Sequence, residues 1–333
     1  MSWSQWKIPE ELIKQFKIQA LHDSYLNIET IDFNEPIGYQ YGNIQIITFS
    51  NQLMEHKHVW NEIEQFKRSF WAFLIEKFYT IASNIQYNMN LTIVWFPIQK
   101  EKSIVNAPHF FHPNVWNTGS YSNHTIFLCR WQEVWKVLCH EVFHWLGMAS
   151  KLENQELSEL WIQEQQWTSN GPLLLEEAWV EALASIWYTK WMNEYLNMKY
   201  FTKSMIKQQF QKTSELCRYF WAFNSPNPNE CLLARKPFHN KSCNQWFQET
   251  NVFSYVFWKE KIYNHPKLYS FLTQPLETQW KKINQDDQYL KLSVLAYQCL
   301  RKPLPIGKNP NKNFQIRFLP ELKNNGWELE TMG

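Results

Sequence analysis

Two periods of apolar and polar residues run along this chain, and their order predicts strands and helices mixed first, then helices. Behind Pro9 and Glu10, the residues Leu12, Ile13, Phe16 and Ile18 recur at helical spacing over 9 to 20. Residues 42 to 50, "GNIQIITFS", read as a strand carrying Ile44 and Ile46. A long amphipathic helix is predicted over 55 to 82, with Val59, Ile63, Phe66, Phe70, Phe73 and Ile81 on one broad face. "LTIVWFPI" (91–98) is apolar enough for a central strand. The stretch 99 to 123 holds Pro108, Pro113, Gly119 and several Asn and Ser, and reads as loop. A third strand, "HTIFLCR" (124–130), leads into a helix that starts at Trp131 or Gln132, runs to Leu146 and stops at Gly147.

A second long helix follows the break at Gly171–Pro172 and covers roughly 173 to 197. Further helical spacing appears at about 201–222, 245–263 and 286–300, interrupted by a Pro- and Asn-rich loop over 224–245. From Arg301 the pattern has no period. No internal repeat is present. These elements predict an α+β fold with an N-terminal half over 1–150 (sheet plus helix), a helical half over 151–300 and an irregular tail over 301–333. A cleft is expected between the two halves.

Composition changes this picture mainly by exclusion. The chain has 333 residues, with 44% hydrophobic, 17% aromatic and 19 Trp, so it can bury a substantial core. Charged residues are 19% and the formal net charge is +2, too weak a bias to imply nucleic acid. The Trp residues read as core and cleft lining. The N-terminal "MSWSQWKIPEELIKQFK" has no apolar core of a signal peptide, and no stretch reaches 18 uninterrupted apolar residues. The six cysteines form no C-x-x-C pair, which suits reduced thiols and a cytoplasmic setting. Cys231 and Cys243 flank His239; they read as unpaired thiols, with a second metal site as the sharper alternative. His109 and His112 lie among prolines, and Asp286–Asp287 read as a helix cap.

The chemistry concentrates in "KVLCHEVFHWLGM", 136 to 148. His140 and His144 stand at i and i+4, so a helix sends both from one face, one turn apart. That separation suits two imidazoles on one zinc. Glu141 lies about 60° round from His144 on the helical wheel. Zinc makes its bound water acidic near pH 7, and Glu141 is placed to take that proton and pass it to a leaving amine. Trp135, Cys139, Val142 and Leu146 form the opposite, apolar face. Chance occurrence on a surface helix is the bland reading. The preceding strand, the segregated apolar face and a second helix with paired acids weigh against it.

A third ligand is required. An H-E-x-x-H-x-x-G-x-x-H motif, as in metzincins, is absent, because Ser150 stands where the last His belongs. "EEAWVE" (176–181) places Glu177 and Glu181 at i and i+4, opposite Leu175, Trp179, Ala182 and Ile186. Glu177 is the expected ligand, and Glu181 the acceptor for the outer N–H of a ligand His. Glu181, Glu176 and His239 remain alternatives as ligand, although acids in a first helical turn also suit the macrodipole.

His140-Glu141-x-x-His144 followed by a helix with Glu-Ala-x-x-x-acid resembles the gluzincin metallopeptidases, the clan of thermolysin. The likeness covers roughly residues 90 to 190. It implies a zincin-like fold, one Zn2+ on His140, His144 and Glu177, Glu141 as general base, and Glu181 orienting a histidine. The second acid is Glu where thermolysin has Asp, and the spacing to Glu177 is longer. The block "NTGSYSNHTIFLCRWQEVWKVLCHEVFH" is also similar to zincin-like proteins of large DNA viruses, which implies host cytoplasm or virion. Peptide or protein is the expected substrate, lying by β-augmentation along about 117 to 128 at Asn117, Gly119 and Tyr121. A plain connector is the alternative there. Tyr255 is the first choice to steady the oxyanion, with His239, Tyr263 and His265 competing. No G-x-M-E-N-like block is present to anchor a free amine, which favours an endopeptidase. The rival is a zincin-like protein without turnover, in which zinc only ties two helices together.

Overall fold

The computed structural model describes residues 4–22, 36–49, 76–85, 88–96, 119–129, 134–164, 168–169, 174–195, 245–246, 254, 258–285 and 288–300. Six strands make one mixed sheet: β1 (Ser4–Trp6), β2 (Ile37–Tyr41), β3 (Ile44–Thr48), β4 (Leu91–Phe96), β5 (Gly119–Ser122) and β6 (Thr125–Cys129). Their spatial order is β1-β2-β3-β4-β6-β5. The inner pairs β3–β4 and β4–β6 are parallel, and the outer pairs are antiparallel.

Alternation within the strands divides the core in two. Leu91, Ile93 and Trp95 of β4, with Ile126 and Leu128 of β6, face the larger core. Val94, Phe96, Phe127 and Cys129 face the other side, beneath Ile8 and Phe16 from around α1 (Glu10–His22). A strand buried on both faces needs apolar residues at successive positions, which is why "LTIVWF" lacks alternation.

The large core is covered by helices. A helix over 76–84, α2, sets Phe78 edge-on against Phe143 of α3 (Val134–Trp145), ring centroids 5.5 Å apart. After α3 come α4 (Gln155–Glu164), a two-residue strand β7 (Thr168–Ser169) and α5 (Leu175–Tyr195). Then follow β8 (Gln245–Trp246), α6 (Lys259–Asn264), α7 (Pro266–Leu272), α8 (Leu276–Asn284) and α9 (Gln288–Leu300). The architecture is mixed α+β. No helix among the described residues is long and apolar enough to cross a membrane.

Several expected boundaries change. Gly42 is no strand residue; with φ +59° it turns the β2–β3 hairpin. Residues 119–122, read as loop, form β5 and pair with β6 through Asn123 and His124, whose φ values are +49° and +60°. Two positive φ values in a two-residue turn match the twist of a hairpin, and Asn tolerates them. Part of the helix expected over 245–263 is β8, which pairs in parallel with β7; pairing across the chain overrides the local helical spacing. The helix predicted over 201–222 and most of the one over 55–82 lie outside the described residues.

Candidate metal centre

Helix α3 is buried nearly all round, its apolar residues packing it against the sheet and α5. The expected polar face is itself covered: His140 is 6% exposed and Glu141 7%. Gly147, at φ +62°, ends the helix. Its N–H donates to His144 O at 2.9 Å and the Met148 N–H to Phe143 O at 3.0 Å, a Schellman closure that needs the left-handed residue. Two further donors finish that end from α8. Trp280 Nε1 donates to Leu146 O at 2.8 Å, and Asn284 Nδ2 to Gly147 O at 3.0 Å.

Helix α5 is held at its start. The Glu176 N–H donates to Glu153 Oε2 at 3.1 Å, and Tyr297 of α9 donates to Glu153 Oε1 at 3.1 Å. A carboxylate at a helix N-terminus accepts otherwise unpaired N–H groups. Contacts between α3 and α5 run in opposite directions along the two chains. His144 meets Glu176 and Glu177, His140 meets Glu177 and Glu181, and Lys136 meets Glu181. The helices are therefore antiparallel across the site.

Three atoms converge there. His140 Nε2 and His144 Nε2 lie 3.1 Å apart, and Glu177 Oε2 lies 3.2 Å from the first and 3.3 Å from the second. Three mutual contacts at 60° to one another cannot all be hydrogen bonds, since an N–H aims along one line. A tetrahedral metal bonded at about 2.0–2.1 Å has ligand–ligand edges of roughly 3.3–3.4 Å. The triangle has that size, so His140, His144 and Glu177 fit a metal ion.

The outer nitrogens point to carboxylates. His140 Nδ1 donates to Glu181 Oε2 at 3.2 Å, and His144 Nδ1 donates to Glu176 Oε1 at 3.3 Å. With both Nδ1 atoms engaged there, both Nε2 atoms face Glu177, and a bound metal would take their lone pairs. Glu181 is further held by Lys136 and by Lys259 of α6, the latter at 3.1 Å. Among the described residues around the histidines, four carboxylates (Glu141, Glu176, Glu177, Glu181) oppose two ammonium groups, an imbalance that suits a divalent cation.

Metal-free, that imbalance draws protons to the imidazoles. Burial alone depresses His140, but hydrogen bonds to Glu177 and Glu181 outweigh it and raise it to about 9. His144 is raised well above its ordinary value, because Glu176 and Glu177 overcome the cost of burial. Burial opposes ionisation of Glu177 and Glu181. The two histidines nevertheless lower Glu177, and Lys136 and Lys259 lower Glu181. Glu141 behaves differently: burial dominates and raises it.

Of the other expected residues, Gly119 and Tyr121 lie on β5, the strand at the end of the sheet order beside α3. Tyr263 is buried and donates to Ala182 O at 2.8 Å, and His265 caps α7 by accepting from Leu268 N. Asn117, Tyr255, His239, Cys231 and Cys243 lie outside the described residues. Sequence reasoning missed Lys136, Lys259 and the contact of Glu176 with His144. One signal was available: Lys136 stands at i−4 from His140, on the same stripe.

The fold and the cluster define a mixed α+β protein with a His–His–Glu triad able to hold a metal ion. Compared with protein-family models, curated proteins and solved structures, the chain matches none.

Proposed function

We propose that the chain is a zinc-dependent endopeptidase of gluzincin type with a zincin-like fold. His140, His144 and Glu177 bind zinc, and Glu141 is general base and acid. The observation that carries the reading is the 3.1–3.3 Å triangle of two Nε2 atoms and one carboxylate oxygen. Bound zinc supplies Lewis acidity, which polarises a carbonyl and eases deprotonation of water near neutral pH.

The side chains divide the remaining work. Glu181 and Glu176 hold the Nδ1 protons, so neither imidazole turns away from Glu177. Glu141 adjoins His140 in sequence, and among the described residues its carboxylate has no hydrogen-bond partner. Its place one residue after a ligand histidine, buried at the site, suits it to taking a proton and returning it to a leaving amine. A site that only tied helices together would have no use for it. Extended peptide fits the outer edge of β5, where main-chain groups accept an added strand.

The test is zinc per chain for the wild type and Glu177→Gln, followed by hydrolysis of a peptide library. About one zinc in the wild type, a large loss in Glu177→Gln and peptide cleavage support the reading. Zinc without cleavage sinks the peptidase and leaves a structural centre. No zinc after reconstitution sinks both.

A further inference from the structure

Lys136, Lys259, Glu181 and His140 form a buried chain of contacts behind the triad. All four are buried: Lys136 8% exposed, Lys259 4%, Glu181 7% and His140 6%. The two oxygens of Glu181 are divided between tasks. Oε1 takes both ammonium groups, from α3 and from α6, and Oε2 takes the His140 Nδ1–H. Neutralising one buried carboxylate needs one lysine, and burying a second ammonium is costly. A cation also sits badly beside a site for another cation. Two ammonium groups on one oxygen hold that carboxylate from two elements.

We infer that Lys136 and Lys259 are positioning residues for the metal centre, clamping Glu181 so that the His140 ring keeps Nε2 turned to the triad. The inference rests on the metal reading above. A carboxylate whose one oxygen is engaged by two ammonium groups keeps its other oxygen on the Nδ1–H. It also cannot swing, since α3 and α6 fix the same oxygen from separate elements. The other histidine has a lighter hold. Glu176 is 28% exposed at its side chain, and among the described residues no lysine contacts it.

Charge alone predicts the opposite sign for the experiment. Removing a positive group near a cation site should tighten zinc. Losing the clamp should weaken it, by about 10–100-fold as for other partners of ligand histidines. Zinc affinity is measured by competition with a chromophoric chelator on wild type, Lys136→Met, Lys259→Met, Glu181→Gln and the double variant Lys136→Met/Glu181→Gln. Circular dichroism and melting verify the fold. Each lysine variant is expected to lose about 10–100-fold, and Lys136→Met to add nothing once Glu181 is Gln. If Lys136→Met does not fold, Lys259→Met with its own Glu181→Gln double carries the same cycle. Unchanged or tighter zinc, or an equal loss with and without Glu181, overturns the clamp while leaving the metal centre standing. A wild type that takes up no zinc fails earlier, at the metal reading, and takes the clamp with it.

Discussion

The Nε2 atoms of His140 and His144 lie 3.1 Å apart. Two lone pairs at that distance repel unless a proton or a cation lies between or beside them. In the metal-free protein the protons are there, since His140 is raised to about 9 and His144 is raised well above its usual value. Zinc must displace them. Uptake at pH 7 is expected to release about two protons per metal, and affinity to rise with pH until it levels above the histidine range. Calorimetric titration in two buffers of different ionisation enthalpy counts the protons; none released would contradict the protonated pair.

The same shift sets the stability of the metal-free form. The folded pKa of His140 lies above the unfolded value of about 6.5. Its contribution is therefore complete below pH 6.5 and is lost as pH rises through about 9. Melting of chelator-treated protein is expected to fall across that window. Zinc-loaded protein, with those protons displaced, is expected to hold its melting temperature there.

Glu141 and Glu177 should separate cleanly under substitution. Glu177→Gln replaces one corner of the triangle, and zinc is expected to leave. Glu141→Gln touches no corner, so zinc is expected to remain near one per chain while peptide hydrolysis falls by about 10²–10⁴-fold. Elemental analysis and a fluorogenic peptide assay on the same preparations decide it. Zinc lost from Glu141→Gln would move Glu141 among the ligands.

What the sequence showed, and what it did not, follows from the range of the forces involved. The pair His140/His144 and the pair Glu177/Glu181 were legible because i, i+4 spacing is a local property of a helix. The central strands β4 and β6 were legible because residues buried on both faces make short apolar runs. Lys259 was not, since only folding brings α6 to Glu181 across 78 positions. Trp280 reaches Leu146 across 134 positions, again with no local sign. β5 was hidden by its composition: Gly, Ser and Asn suggest a loop until Phe127 and its neighbours offer a partner strand. Burial of Lys136, His140 and Glu141 on the motif helix was not legible, because a polar face carries no local sign of the element that will cover it.

Trp280 closes the end of the motif helix. Trp280→Phe keeps an aromatic ring but removes the pyrrole part of the indole, and with it the donor to Leu146 O, leaving that carbonyl short of one partner. The expected cost is about 0.5–1.5 kcal/mol, read as a lower midpoint in urea unfolding with an unchanged slope. Zinc stoichiometry should not change, because the lost bond lies beyond the last ligand. An unaltered midpoint would mean that the bond adds nothing in solution.

Gly119 sets how closely the sheet edge lies on the motif helix. A Cβ at that position would sit 2.6 Å from Val137 Cγ1 and 3.1 Å from Phe127 O. Val137 is β-branched and stiff, on a helix packed against both β5 and α5, so it cannot turn aside cheaply. Gly119→Ala is therefore expected to lift β5 away from α3 and to cost about 1–3 kcal/mol. Adding Val137→Ala vacates the nearer clash and should recover part of the loss, whereas Val137→Ala alone should only open a small cavity. If β5 carries extended substrate, Gly119→Ala also raises KM for peptides while zinc stays bound. Chemical unfolding of the four proteins, with peptide kinetics on those that fold, separates the two effects. Full stability in Gly119→Ala would show that β5 does not lie against Val137 in solution.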